Sequence, residues 1–493
     1  MFTSVVQDSV LNFPEKTIQA FINESFNAHY GYMPSRTVLT TIWSFIVAIY
    51  SGGKLVSCLF TPYLSDRFGR KPTLFLTANA FAIVGCLLLI VAPAANCFEL
   101  LLAGRFVVGF SAGIANIVLS VYVAELSPIR FRGFMCSLRG FIAYSTNVAT
   151  LVLSLPDALG AQGRWQYLLG ISILPCAIQM TSVSLLPETP SYDLIVRQDR
   201  ERAWKTVRKY HFDHRDATIS DTVAMDINAV LDTIAKQHTQ SDEKVTLSTI
   251  WNDLSLRMGF ILAFFIGLLR TTDGHYAVST YSVDILRSVG VSSSSAGLAT
   301  IGIAAGSALS CVVVSGAVER VGRRPLILIP TALGIVSWSL IGIGDFYPSD
   351  TWSGYVSLVA ILSFMIVVPF CSTVAFFVGA ELVPQNARSL SSSLQMVIVS
   401  SSAFAELFLM PIMETAIGGW TYFTIFVAPL VIIFVVLLLY LPETKQKPIF
   451  EIMNELKLGI KISRTWKKKW SAKARSAEND DETQPLLNQK EDT

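Results

Sequence analysis

The chain has 493 residues, of which 52% are apolar and only 15% charged, at a net charge of +2 and a mean hydropathy of +0.51. A soluble protein carries about 25% charged residues, so this chain cannot cover itself with polar surface, and its runs of about 20 apolar residues make lipid the solvent for most of it. The near-neutral balance excludes a nucleic-acid partner, and the cysteines, without C-x-x-C spacing, read as small apolar thiols with no metal or other cofactor implied.

Residues 1 to 36 come first. Their apolar runs are broken by Gln7, Asp8 and Asn12 and are too short to cross about 30 Å of hydrocarbon, and the Lys and Arg of the later connections put the segment on the extracellular side. Asn23-Glu24-Ser25 is the single N-x-S/T acceptor, a candidate glycan site on that side.

An N-terminal half of five spans follows over 37–187, near 38 to 60, 73 to 93, 98 to 122, 134 to 155 and 165 to 186. A mixed-charge linker at 188–256 predicts amphipathic helices beneath the bundle, and its His211 to His214 pair reads as solvated loop, not a metal site. A C-terminal half of six spans occupies 257–444, near 257 to 281, 294 to 317, 325 to 344, 355 to 380, 390 to 411 and 420 to 441. The tail, 445–493, contains W-K-K-K-W, suited to an anionic lipid face. Its E-T-Q-P-L-L segment, with Glu482, Leu486 and Leu487, fits an acidic dileucine pattern for a clathrin-adaptor contact. Lys and Arg in alternate short connections put the linker and tail in the cytoplasm.

The halves are related by duplication. S-D-R-F-G-R-K at Ser65 recurs as V-E-R-V-G-R-R at Val318, E-L-S-P-I-R-F-R at Glu125 as E-L-V-P-Q-N-A-R at Glu381, and L-P-E-T at Leu186 as L-P-E-T at Leu441, with offsets of 253 to 256 residues. Three pairs in the same order at one offset define a tandem repeat. The same offset places the counterpart of the 257 to 281 span at the start of the chain, beginning near Met1, where residues 1 to 36 hold no run long enough to cross, so about eleven spans are expected, with the first span missing. Gly69 and Gly322 permit tight turns, and arginines beside Glu125 and Glu381 predict a cross-helix ion-pair network that can close the cytoplasmic side.

These motifs, with G-R-F-V-V-G at Gly104 and L-P-E-T-P-S at Leu186, resemble the signatures of the sugar porter family in the major facilitator superfamily, and in particular the animal facilitative glucose transporters. The resemblance spans about residues 12 to 452. It implies an all-α polytopic membrane protein of two pseudo-symmetric helical halves, a central cavity and alternating access, with no enzymatic activity. It further implies a cytoplasmic network of Arg67, Arg70, Arg105, Glu125, Arg132, Glu188, Glu319, Arg320, Arg323, Arg324, Glu381, Arg388 and Glu443, and residence at the cell membrane, which the tail motif extends to cycling through endosomes or lysosomes. It also aligns Asn23 with a glycosylated loop.

The positions that the resemblance assigns to sugar contacts are changed: Gly140, Arg270, Thr271, Tyr276, Ser307, Phe376 and Ala403 stand where amides and a tryptophan are expected, with Asp273 near them. Side-chain amides suit sugar hydroxyls because each offers donor and acceptor. Arg270 and Asp273, three apart on an apolar helix, either pair with each other or leave Arg270 to face the cavity. Three readings follow: a facilitative carrier of a hexose or related small polar solute, a carrier of a non-sugar, anionic solute, or a transporter-like membrane protein that serves as sensor or binding partner.

Overall fold

The computed structural model describes residues 2–126, 129–155, 157–161, 163–211, 227–232, 234–235, 247–288, 291–347, 351–445, 447 and 449–458. Among the described residues, ten helices are long and apolar enough to cross a membrane. In the first half they are α3 (Arg36–Phe68), α4 (Arg70–Ala94), α5 (Glu99–Leu126) and α7 (Trp165–Leu185). Between α5 and α7 lies α6 (Ile129–Leu153), an eleventh long helix whose arginines at 130, 132 and 139 lower its hydropathy. Short helices α8 (Pro190–Ile195) and α9 (Arg200–His211) form the described part of the linker. Ala203 and Val207 of α9 bury against Ile227 and Leu231, and Tyr192 of α8 donates to the Arg67 carbonyl at the end of α3.

The second half begins with a short α10 (Leu247–Asn252) and a broken span, α11 (Leu254–Thr272) and α12 (His275–Ser288). The break has a cause: Gly274 adopts φ +81°, and a Cβ there would stand 2.2 Å from the Trp338 ring. Trp338 Nε1 donates to the Asp273 carbonyl, and the His275 N–H donates to Asp273 Oδ1, so the freed peptide groups are satisfied across the break. Then come α13 (Ser293–Val321), α14 (Arg323–Asp345), α15 (Thr351–Glu381), α16 (Gln385–Ile417), α17 (Trp420–Tyr440) and, beyond the last span, α18 (Ile449–Leu458).

Helix packing follows small residues. Against α3, a Cβ on Gly109 or Gly113 of α5 would approach Tyr50 O to 2.0 Å and Ser57 Oγ to 1.8 Å, so backbones meet where lipid gives no hydrophobic incentive. The halves meet where α3 lies along α16 and α6 along α13.

The opening segment corrects the sequence reading. Residues 2–30 do not lie apart from the bundle: they form α1 (Phe2–Ser9) and α2 (Glu15–Tyr30), and Val6, Val10, Leu11, Ile18 and Ile22 are core residues. The polar residues that break the apolar pattern are each satisfied inside. Gln7 Nε2 donates to Leu169 O, Asn12 Nδ2 to Ser279 O and Ser282 Oγ, and Lys54 Nζ to Asp8 Oδ1 at 2.7 Å. Asn12 therefore ties the first half to α12 of the second.

Lys54 is 8% exposed, so Asp8→Asn leaves a buried ammonium beside a neutral partner, an imbalance of about 3 to 5 kcal/mol. The expected outcome is a lowered thermal unfolding midpoint in detergent, recovered in large part by Asp8→Asn with Lys54→Met; a single variant as stable as the parent contradicts it.

Candidate functional site

Two sets of chemistry-bearing residues stand out, one at the helix ends that Gly69 and Gly322 join and one in the middle of the bundle. At the first, Gly69 (φ +98°, ψ 163°) links α3 to α4, and Gly322 (φ +103°, ψ 169°) links α13 to α14. Each turn presents the opening N–H groups of the next helix, which have no intrahelical acceptor. Glu188 takes the Lys71 N–H at 3.0 Å, and Glu443 takes those of Arg323 and Arg324 at 2.9 and 3.2 Å. The positive end of the helix dipole favours a carboxylate there. Arg70 Nε lies 3.6 Å from Glu125 Oε2, and Arg323 Nη2 lies 3.7 Å from Glu381 Oε1. The same clasp is thus built twice, residue for residue.

Burial pushes the Glu188 and Glu125 carboxyls above the ordinary range; the Lys71 and Thr189 N–H groups pull Glu188 back, as the Arg70 guanidinium does Glu125. Among the other residues expected here, Arg67 donates to Tyr63, Arg324 to the Leu438 carbonyl, and the Arg320 carbonyl accepts from Lys445. Arg388 sits in the first turn of α16. Arg132 and Glu319 lie on α6 and α13 with side chains outside the described residues, and Glu482, Leu486 and Leu487 are outside them altogether.

Each of the described ion pairs at these turns joins residues of one half, so the described part of each clasp braces its own half. One expectation changes. Arg105 is not in this network: it is 20 residues before Glu125 on α5, about 30 Å away along the axis. It donates to Gln7 O and Oε1 at 2.9 and 3.0 Å and stands 4.6 Å over the Tyr50 ring. The motif containing it lies at the opposite end of the helix from the clasp, and it anchors α1.

In mid-bundle, Arg270 of α11 lies 5.3 Å from the Phe376 ring centroid, and Arg139 of α6 lies 5.2 Å from the same centroid. One arginine comes from each half. Arg139 also donates to Ser120 Oγ at 3.1 Å. Arg270 and Asp273 do not pair: no described carboxylate comes within 4 Å of Arg270, whereas Asp273, 5% exposed, turns to His275 and to a cleft lined by Pro330, Thr331, Phe364 and Cys371.

The remaining expected contacts spend their polar groups on neighbouring helices or have none. Thr271 Oγ1 meets Ser402 Oγ at 2.7 Å, and Ser307 Oγ donates to Met365 O at 2.7 Å. Gly140 faces the Cys311 sulfur, Ala403 is buried, and Tyr276 lies against His275 and Lys54. Glu406 is buried, 6% exposed. Sequence reasoning passed over Arg139, Lys54 and Asp8. The first two carry the signal applied to Arg270, an ionisable residue in an apolar span.

A bundle of two repeated halves with matching clasps at the helix turns and charged side chains in its middle defines a major facilitator-type carrier. Residues 8–456 match the family described as "Sugar (and other) transporter", and the chain belongs to that sugar porter family, whose members are carriers and not enzymes. It is 28% identical over 449 residues to "Solute carrier family 2, facilitated glucose transporter member 9" of Pongo abelii, covering 90% of this chain and 77% of that one. It is 28% identical over 414 residues to facilitated glucose transporter member 3 of Gallus gallus, covering 84% and 81%. The fold matches the inward open conformation of the xylose transporter XylE from E. coli, with TM-score 0.70, 18% identity, and 92% and 97% of the two chains covered. A proton:xylose symporter XylE structure bound to 6-bromo-6-deoxy-D-glucose gives TM-score 0.70 and 18% identity over 91% and 97%.

The clasp geometry predicts that Gly69→Ala and Gly322→Ala are poorly tolerated. Their φ and ψ lie in a region that is essentially glycine's, and a residue with a Cβ there costs about 1 to 3 kcal/mol, while the Cβ would stand 2.4 Å from Glu188 Oε2 or 2.8 Å from Glu443 Oε2. Gly302→Ala, where a Cβ meets nothing within 4 Å, is the control. Unfolding midpoints in detergent should fall for the first two and hold for the third; equal midpoints contradict the clasp.

Proposed function

We propose that this chain is a facilitative carrier of a hexose or related small polar solute that works by alternating access at the cell membrane. The twofold clasp carries the reading: each half is a braced body, and the hydrogen bonds of Asn12 that join α1 to α12 lie between bodies, as rocking of one half against the other requires. Relatives named as facilitated glucose transporters support the solute class. Lipid surrounds the bundle as its solvent. The test is saturable uptake of radiolabelled glucose by proteoliposomes holding the purified chain, with empty liposomes as control and Glu443→Ala expected to reduce flux at equal incorporation. Uptake no greater than in empty liposomes overturns hexose transport.

One observation favours a second reading, a transporter-like sensor or binding partner: Gly140, Phe376 and Ala403 offer no side-chain hydrogen bond at positions where sugar contacts are expected. Retained glucose binding without flux would support it.

The surface reading has two further parts. Asn23 is half-buried on α2, and Ser25 Oγ is committed to Asn96 O and the Phe98 N–H, so a glycan at Asn23 is added before this packing forms. The tail's Glu482, Leu486 and Leu487 fit a clathrin-adaptor contact and cycling through endosomes or lysosomes. Leu486→Ala with Leu487→Ala is expected to raise the fraction reached by surface biotinylation; an unchanged fraction removes the sorting role.

A further inference from the structure

We infer that the solute is an anion, a hexose-sized polyhydroxy acid whose carboxylate is held between Arg139 and Arg270. The inference rests on the carrier reading above and narrows its substrate class.

The two guanidinium groups come from opposite halves, α6 and α11, and converge on the one ring of Phe376 at 5.2 and 5.3 Å. Arg270 has no described carboxylate within 4 Å, although a buried arginine at membrane depth ordinarily has a partner. The nearest acid in sequence does not serve. Asp273 gives Oδ1 to the His275 N–H and faces a cleft within the second half, toward Pro330 and Thr331. Arg139 donates to Ser120 Oγ and stands against Phe376.

Guanidinium is suited to a carboxylate because its planar N–H groups can meet both oxygens at once. A neutral hexose fits this lining less well. Its hydroxyls need groups that both donate and accept, while the hydroxyls of Thr271 and Ser307 are already bonded to Ser402 and Met365. A hexuronate keeps the hexose frame and adds the one group that Arg270 lacks. Because one arginine belongs to each half, a bound carboxylate also links the two bodies that must move against each other.

The experiment measures uptake of radiolabelled glucuronate and glucose by proteoliposomes of the full chain, with the shift in unfolding midpoint on adding either solute in detergent. The expected result is saturable glucuronate uptake exceeding that of glucose, and a midpoint raised by glucuronate. Arg270→Gln and Arg139→Gln should each cut glucuronate uptake at least tenfold and remove the midpoint shift; Arg270→Lys, which keeps the charge, should retain part of both and serves if the glutamine variant fails to fold. Glucose uptake without glucuronate uptake overturns this inference and leaves the carrier reading standing. Glucuronate uptake unchanged in Arg270→Gln also overturns it, and neither uptake nor a shift with either solute overturns both.

Discussion

Inside hydrocarbon there is no water to receive a polar group, and each one left without a partner costs several kcal/mol. That constraint explains more of this structure than its apolar residues do. The unwound turn at Gly274 survives because Trp338 and Asp273 take up its peptide groups. The helices after Gly69 and Gly322 begin with carboxylates on their N–H groups, which supply the partner that water would provide at a soluble helix end. Arg105 is tolerated in the core because Gln7 offers it two oxygens and Tyr50 a ring face.

The duplication was legible because its signature is chemical. A turn that needs glycine at one place, a carboxylate at another and an arginine between them constrains residue types, so Gly69, Glu188, Arg70 and Glu125 recur as Gly322, Glu443, Arg323 and Glu381. Long spans were legible for a similar reason, since hydrocarbon thickness sets a minimum apolar length. Neither signal depends on which side chains touch.

The opening helices were misread because their information lies in contacts. Gln7, Asp8 and Asn12 look like surface residues in a linear count; their partners are Arg105, Lys54 and Ser282, from 46 to 270 positions away. The same holds in mid-bundle. Arg270 is visible as an ionisable residue in an apolar run, but its freedom from Asp273 follows from the break at Gly274, which turns Asp273 toward α14. Arg105 was assigned to the wrong end because a motif gives residue type without depth. Counting from Glu99, where α5 starts, would have corrected it.

The asymmetry of the contacts says which of them a rocking motion must break. The described clasps are internal to each half and can persist through a transport cycle, so replacing their residues weakens a body and not a latch. By contrast, the Asn12 amide reaches Ser279 and Ser282 across the division, and the Thr280 hydroxyl donates to the Asp8 carbonyl. These hydrogen bonds, each worth about 1 kcal/mol net, are weak enough to part without unfolding either half. The opening segment is therefore a contact between the two halves, with Arg105 and Lys54 fixing it to the first and Asn12 and Thr280 joining it to the second.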